Sequence, residues 1–184
     1  MKTYNVKDLM VPLSEYATVD EDTTLFEAVM ALENAQMKYS NTPYAHRAIL
    51  ILNKEKKVIG KISQLDVLRA LEPKYVEMQG IDGLSRHGMS KQFSKSLKVQ
   101  YKLFDSPMND ICKTASQKIV RDFMYTPTEG EYVSEDETLD EAIHQLVIGQ
   151  HQSLLVTRDE EIVGVLKLTD VFAAIFHVMK QCRI

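Results

Sequence analysis

Val19-Asp20-Glu21-Asp22-Thr23-Thr24-Leu25-Phe26-Glu27-Ala28 returns 114 positions later as Val133-Ser134-Glu135-Asp136-Glu137-Thr138-Leu139-Asp140-Glu141-Ala142. The same shift lays Val6-Lys7-Asp8-Leu9-Met10 on Val120-Arg121-Asp122-Phe123-Met124, and from residue 6 to 32 it keeps 12 of 27 positions without a gap. That is a duplication. A second register, shifted by 104, lays Val58 to Val67 on Ile162 to Val171, so the first copy carries ten extra residues in its middle. Two copies are too few for an open-ended solenoid. They suit a closed, pseudo-symmetric pair with grooves between the copies.

Each copy reads the same way. A short apolar turn leads through a proline-containing stretch to a brief strand at Thr18-Val19 or Tyr132-Val133. Thr24-x-x-Glu27 and Thr138-x-x-Glu141 then spell capping boxes, with Glu21-Asp22 and Glu135-Asp136 ahead of them to suit the positive end of a helix. Leu25, Ala28, Val29 and Leu32, or Leu139, Ala142, Ile143 and Leu146, follow at helical spacing. Continuous apolar runs around Asn53–Lys57 and Thr157–Glu161 predict β-hairpins whose strands are covered on both faces. A last helix starts near Gln64 or Thr169. The order β-α-β-β-α, twice, predicts an α+β fold of two packed domains, residues 1–72 and 120–184, joined by an insert at 73–119.

Composition sets the class. The chain has 184 residues, 45% hydrophobic and 26% charged, and is globular by composition. A repeat of roughly 65 to 70 residues buries only a thin core alone, so mutual packing is expected. Cys112 and Cys182 have no framework spacing and read as inert thiols of a reducing compartment. Neither a leader-like apolar stretch nor a membrane-length run is present, which points to the cytoplasm. Net charge is −4, yet residues 73–119 hold eight basic against four acidic residues. In that insert Gly80, Gly83 and Gly88 mark a loop, Gln92 to Phe104 is an amphipathic helix or strand with a basic face, and Asp105-Ser106-Pro107 reads as a helix start. It is either a solvated lid on the pair or a surface for anionic ligands or an acidic partner. Nucleic acid is disfavoured, because the whole chain is acidic and no recognition motif accompanies the lysines.

No phosphate-binding glycine loop, nucleophile elbow or zinc-binding helix occurs, so no enzyme is read here. The histidines lack companions at metal-ligand spacing, so no metal site is expected.

Gly60-Lys61-Ile62-Ser63-Gln64-Leu65-Asp66 and Gly164-Val165-Leu166-Lys167-Leu168-Thr169-Asp170 open the two last helices. Placed twice behind a hairpin and a capped helix, they make the chain resemble a tandem pair of CBS (cystathionine β-synthase) domains, a Bateman module. The resemblance spans residues 6–72 and 120–180. It implies a regulatory role in which AMP, ADP, ATP or S-adenosylmethionine binds in clefts between the paired domains. It also implies a homodimer built on the helices around Leu25–Leu32 and Val171–Met179, and an effector protein of unknown identity that receives the signal.

On that resemblance Ser63 and Asp66 are the leading ligand residues, because a carboxylate can accept both hydroxyls of a ribose. Their alternative is plain helix capping. Thr18, Arg47, Ala48 and Ile62 would stand beside them, with Ala48 and Ile62 forming an apolar adenine slot and Arg47 either clamping phosphate or lying solvated. In the second copy Asp170, Thr169 and Ser153 correspond, but Lys167 replaces the hydroxyl. Lys167 either makes a surface salt bridge or reaches a ligand phosphate across the cleft. Lys61 and Lys167 depart from the family pattern and support a rival reading, an interaction or dimerisation module whose ligand sites have decayed.

Overall fold

The computed structural model describes residues 4–38, 46–72, 74–77, 90–103 and 110–181. The first repeat runs β1 (Val11–Pro12), β2 (Thr18–Asp20), α1 (Leu25–Lys38), β3 (Ala48–Leu52), β4 (Val58–Ser63) and α2 (Gln64–Leu71). The insert supplies α3 (Lys74–Glu77), α4 (Lys91–Gln100) and α5 (Ile111–Gln117). The second repeat runs β5 (Tyr132–Ser134), α6 (Leu139–Ile148), β6 (Ser153–Arg158), β7 (Glu161–Lys167) and α7 (Leu168–Gln181). The expected mixed fold with the β-α-β-β-α order is therefore present twice.

Among the described residues the strands form two sheets, ordered β2-β3-β4 and β1-β7-β6-β5. The strand before the first long helix, β2 or β5, pairs parallel with the hairpin of its repeat, the hairpin strands pair antiparallel, and β1 pairs antiparallel with β7 of the other repeat. Ala48 lies opposite Ser63, and Ser153 opposite Lys167. Strand β3 thus maps on β6 with a shift of 105 while β4 maps on β7 with 104, because the first hairpin turn is one residue longer. His46 and His151, one residue apart by the sequence register, are equivalent by the ladder.

The arms preceding the first helices are exchanged. Val6, fully buried, sits in the core of the second repeat with Val133, Ala142, Leu154, Val156 and Leu166. Val120, also fully buried, sits in the core of the first with Ala28, Ile49, Ile51 and Ile62. Burying each valine contributes about 1.5–3 kcal/mol, and each contribution ties one repeat to the other. Backbone bonds repeat with the same symmetry. Val6 N–H donates to Glu137 O at 3.0 Å and Val120 N–H to Thr23 O at 2.9 Å. Lys7 pairs with Asp136 at 2.7 Å, and Arg121 with Asp22 at 2.5 Å. The carboxylates Asp22 and Asp136, read in sequence as complements to a helix end, are thus paired with the other repeat's arm. The forward cap bond is present in both copies, Glu27 N–H to Thr24 Oγ1 at 3.3 Å and Glu141 N–H to Thr138 Oγ1 at 3.4 Å.

The motif glycines exist because these arms cross close by. A Cβ on Gly164 would stand 2.7 Å from Val11 O, and one on Gly60 would stand 2.5 Å from Met124 Sδ. Between the two sheets Val11, Tyr16, Leu50, Leu155 and Val165 form a shared apolar layer.

Of the insert, α5 packs Ala115 against Leu25 and Ala70. Helix α4 buries Leu97 with Leu103 against Tyr75, Phe93 and Tyr101, while Lys91, Lys95, Lys98 and Lys102 are exposed. The helical alternative for residues 92–104 therefore holds for 91–100. The glycine loop, Asp105-Ser106-Pro107 and Cys182 lie outside the described residues; Cys112 is exposed.

Candidate functional site

Strand β4 passes directly into α2 at Ser63, which takes an extended backbone and caps the helix. Asp66 N–H donates to Ser63 Oγ at 3.3 Å. Asp66 Oδ2 accepts from Ser63 N–H at 2.9 Å and from Ser63 Oγ–H at 2.6 Å. The capping box is thus closed on itself through Oδ2, and Asp66 Oδ1 stands 3.4 Å from the half-exposed Arg69 guanidinium. The Asp66 side chain is 19% exposed, reachable yet partly shielded. Gln64 N–H donates to Arg47 O at 3.2 Å, so the start of β3 borders this helix mouth; the Arg47 side chain is exposed and Ala48 half-buried.

The second repeat closes over this side. Glu131 accepts from Lys61 Nζ, from the Tyr125 hydroxyl at 2.6 Å and from Thr128 N–H at 3.1 Å. The Lys61 ammonium also stands 5.5 Å from the centre of the Tyr125 ring. Burial alone would push the Glu131 carboxyl up, but its bonds from Lys61, Tyr125 and Thr128 hold it below the usual carboxylate range. Lys61, flagged in sequence as a departure from the family pattern, is therefore committed to a tie between the repeats. Beside Glu131 lies Gly130, where an added Cβ would meet nothing within 4 Å. An open depression lined by Glu129, Gly130, Tyr132, Val133, Ser134 and Gln145 lies along β5; Ser63 and Asp66 do not line it.

The pseudo-symmetric position is built differently. Lys167 Nζ pairs with Asp170 Oδ2 at 3.2 Å, with side chains only 5% and 13% exposed. Lys167 is thus not in a surface salt bridge, as one sequence alternative had it. The residues covering it come from the first repeat. The rings of Tyr16 and His46 meet edge to face, 4.6 Å between centres, and the two residues are 6% and 2% exposed. Burial raises the Tyr16 hydroxyl well above its ordinary value, and the Asp170 charge adds to this. Burial lowers the His46 imidazole, with the Lys167 charge second. Burial raises Asp170 against the opposing pull of Lys167. His46 Nδ1 finds no protein partner among the described residues. Ser153 and Thr169 flank this position half-buried, and Leu168 N–H donates to Gln152 O at 3.0 Å. His151, the counterpart of His46, is half-buried and turned against Gly149.

One other expected residue is placed away from a cleft: Ile62 is fully buried and packs in the first repeat's core. Alternation explains this, since Lys61 and Ser63 face one way along β4 and Gly60 and Ile62 the other. Thr18 is half-buried in β2, paired with Leu50. Tyr16, Gly130 and Glu131 were missed in sequence. The 114-residue shift pairs Tyr16 with Gly130 and Ala17 with Glu131, and that contrast was the available signal.

Among the described residues no cluster of three or more potential metal ligands occurs, and no helix is long and apolar enough to cross a membrane. Comparison with curated proteins gives no match. Among solved structures the chain is similar to CBSX2 in complex with AMP, with 18% identity, TM-score 0.59, and 95% of this chain and 98% of that one covered. It is similar to the CBS-pair protein CBSX2 from Arabidopsis thaliana at 16% identity and TM-score 0.58, covering 97% and 99%. A putative acetoin utilization protein (AcuB) from Vibrio cholerae aligns at 19% identity and TM-score 0.58, covering 96% and 93%. At these identities the likeness is one of fold. The family profile described as CBS domain matches residues 6–73 and again 120–177, and the chain belongs to that family as a tandem pair.

Proposed function

We propose that this chain is a regulatory module that binds an adenosyl compound at the junction where Ser63 and Asp66 face the second repeat, and relays binding by shifting the relative orientation of its repeats. The observation that carries this reading is the half-shielded Asp66 carboxylate at the mouth of α2, whose Oδ1 meets, among the described residues, only the half-exposed Arg69 at 3.4 Å. A carboxylate so placed accepts ribose hydroxyls, and the α2 start together with Arg69 and Arg47 favours negative charge nearby. The AMP complex of CBSX2, a protein of the same fold, supports an adenine nucleotide. Ser63, Ala48, Arg47 and Thr18 belong to this proposed site, and Asp170, Lys167, Thr169 and Ser153 to its pseudo-symmetric counterpart. A ligand alters repeat orientation only if it binds one orientation more tightly. The Lys61–Glu131 tie between repeats is the contact such a shift would load.

A second reading, an interaction module, has its own observation. Phe26, Met30 and Met37 on α1, Leu65 and Leu68 on α2, and Phe172, Phe176 and Met179 on α7 are exposed. Such apolar helix faces fit a homodimer or an effector protein. Calorimetric titration with AMP, ADP, ATP and S-adenosylmethionine, repeated on Asp66→Ala, separates the two. Micromolar binding of one compound, lost in the variant, is the expected result. Silence from all four transfers the function to the apolar faces.

A further inference from the structure

We infer that the chain takes one ligand and not two: of its two junctions, the first, around Asp170, is already filled by its own side chains with Lys167 as the internal occupant, and the second, around Asp66, is left to a ligand. This rests on the reading of Asp66 as a ligand group. The argument is a position-by-position contrast across the pseudo-two-fold axis. Where the second junction has Ser63, a small hydroxyl, the first has Lys167, whose ammonium lies 3.2 Å from Asp170 and whose side chain is 5% exposed. Where the second has Gly130, with nothing within 4 Å of a would-be Cβ, the first has Tyr16 at 6% exposure. Where the second has a half-buried His151 turned against Gly149, the first has His46 at 2% exposure, its ring against Tyr16. Two substitutions add volume at this junction, Lys167 beside Asp170 and Tyr16 against His46, and the histidine common to both junctions is buried here.

The charge is also partly met. Asp170 is the counterpart of Asp66, and its Oδ2 already stands 3.2 Å from the Lys167 ammonium, although that oxygen and His46 Nδ1 have no hydrogen-bond partner among the described residues. A ligand entering there has to expel a buried ammonium from a buried carboxylate and displace an aromatic pair. Separating a buried ion pair in a low-dielectric site costs several kcal/mol. At Asp66 an incoming ligand displaces only a 3.4 Å contact to a half-exposed arginine. The asymmetry makes Lys167 a specificity-determining residue for stoichiometry: it spares one junction as a fixed hinge and leaves the other to sense.

The test titrates the full-length chain with AMP in a calorimeter. One site per chain is expected, abolished in Asp66→Ala and kept in Lys167→Ser. The double variant Tyr16→Gly with Lys167→Ser, which gives the first junction the second's residues, is expected to take two. Two sites in the natural chain, or one that survives Asp66→Ala, overturns the proposal. A parallel measurement needs no ligand. Brief acetylation of the native chain, read by mass spectrometry, should modify Lys167 about 10-fold or more slowly than exposed Lys95, since a buried amine reacts only through transient opening. Equal rates show that the junction is unsealed and defeat the inference. Absence of AMP binding in every variant defeats the ligand reading of Asp66 instead, and the labelling rates then decide alone whether Lys167 seals its junction.

Discussion

At one junction between the repeats a tyrosine, a histidine, a lysine and an aspartate are packed out of water; at the other the matching positions hold a glycine, a half-buried histidine, a serine and an aspartate. The exchanged arms and the strand-to-helix step repeat around them, but the turn before the first helix's strand does not: Tyr16 follows its turn (Leu13–Glu15) in extended backbone, whereas Gly130 lies inside its own (Glu129–Glu131). Duplication supplies two equivalent clefts, and side-chain volume at two positions, Tyr16 for Gly130 and Lys167 for Ser63, then separates them. The polar tie has moved as well. Lys61 and Glu131 join the repeats at the second junction, whereas the matching positions Val165 and Ala17 are apolar. One junction therefore places its charges at the helix mouth, and the other places them at the crossing arm.

The strongest way to break the comparison is to remove each aspartate in turn. Asp170→Ala removes one partner of a buried ion pair, the carboxylate 3.2 Å from Lys167 Nζ, a loss of about 3–5 kcal/mol. Asp66→Ala removes a helix cap and a partly exposed carboxylate, a loss of about 1 kcal/mol. Urea unfolding of the two variants checks this, and equal losses would show that the junctions are energetically alike.

The motif glycines give a smaller contrast. A methyl at Gly164 meets the backbone carbonyl of Val11 at 2.7 Å, which cannot move without shifting β1. At Gly60 the nearest atom, at 2.5 Å, is the end of the flexible Met124 side chain, although Tyr125 O follows at 3.2 Å. Gly164→Ala is expected to cost about 1–3 kcal/mol, in the range of overpacked cores, and Gly60→Ala less. Thermal unfolding midpoints order the two, and the reverse order would mean that the arm at the second junction is the more rigid.

What the sequence disclosed was what is local. Capping threonines, hairpin runs and the 3.6-residue spacing of Leu25, Ala28 and Leu32 act within one repeat, so β-α-β-β-α could be read directly. The burial of Lys167 could not, because it depends on Tyr16 and His46, which come from the other repeat. The same holds for Asp22 and Asp136, whose partners Arg121 and Lys7 sit on exchanged arms. Ser63 and Asp66 were legible as a pair because three residues on a helix mouth fix their geometry. Ile62 was misassigned to a slot although the alternation along β4 already turned it inward.

Proton uptake sharpens the comparison at the first junction only. His46 is held below the ordinary imidazole value by burial and then by Lys167; Tyr16 and Lys167 are the groups that face it. The fold therefore prefers neutral imidazole, and its stabilisation is complete above the unfolded value of about 6.5 and lost as pH falls below it. Asp170, raised by burial, acts with the opposite sign in its own range, its contribution declining as pH rises. Urea midpoints are expected to fall from pH 7.5 to pH 5.5, by about one protein-bound proton's worth of slope, and His46→Gln should flatten that fall. An unchanged slope in the variant would assign the acid sensitivity to another group.

The smallest effect on stability is expected at Gly130. Its Cβ position is open, and its backbone is not in the left-handed region, so Gly130→Ala should shift stability by less than about 0.5 kcal/mol. Gly130→Tyr carries the comparison further by giving the second junction the residue that fills the first. If the space beside Asp66 is where a nucleotide lies, this variant keeps its unfolding midpoint and loses AMP binding, because the ring takes the ligand's place without displacing core atoms. A midpoint that drops as it would for an overpacked core, about 1–3 kcal/mol, would show instead that the second junction is packed. The two junctions would then differ in charge alone, not in room.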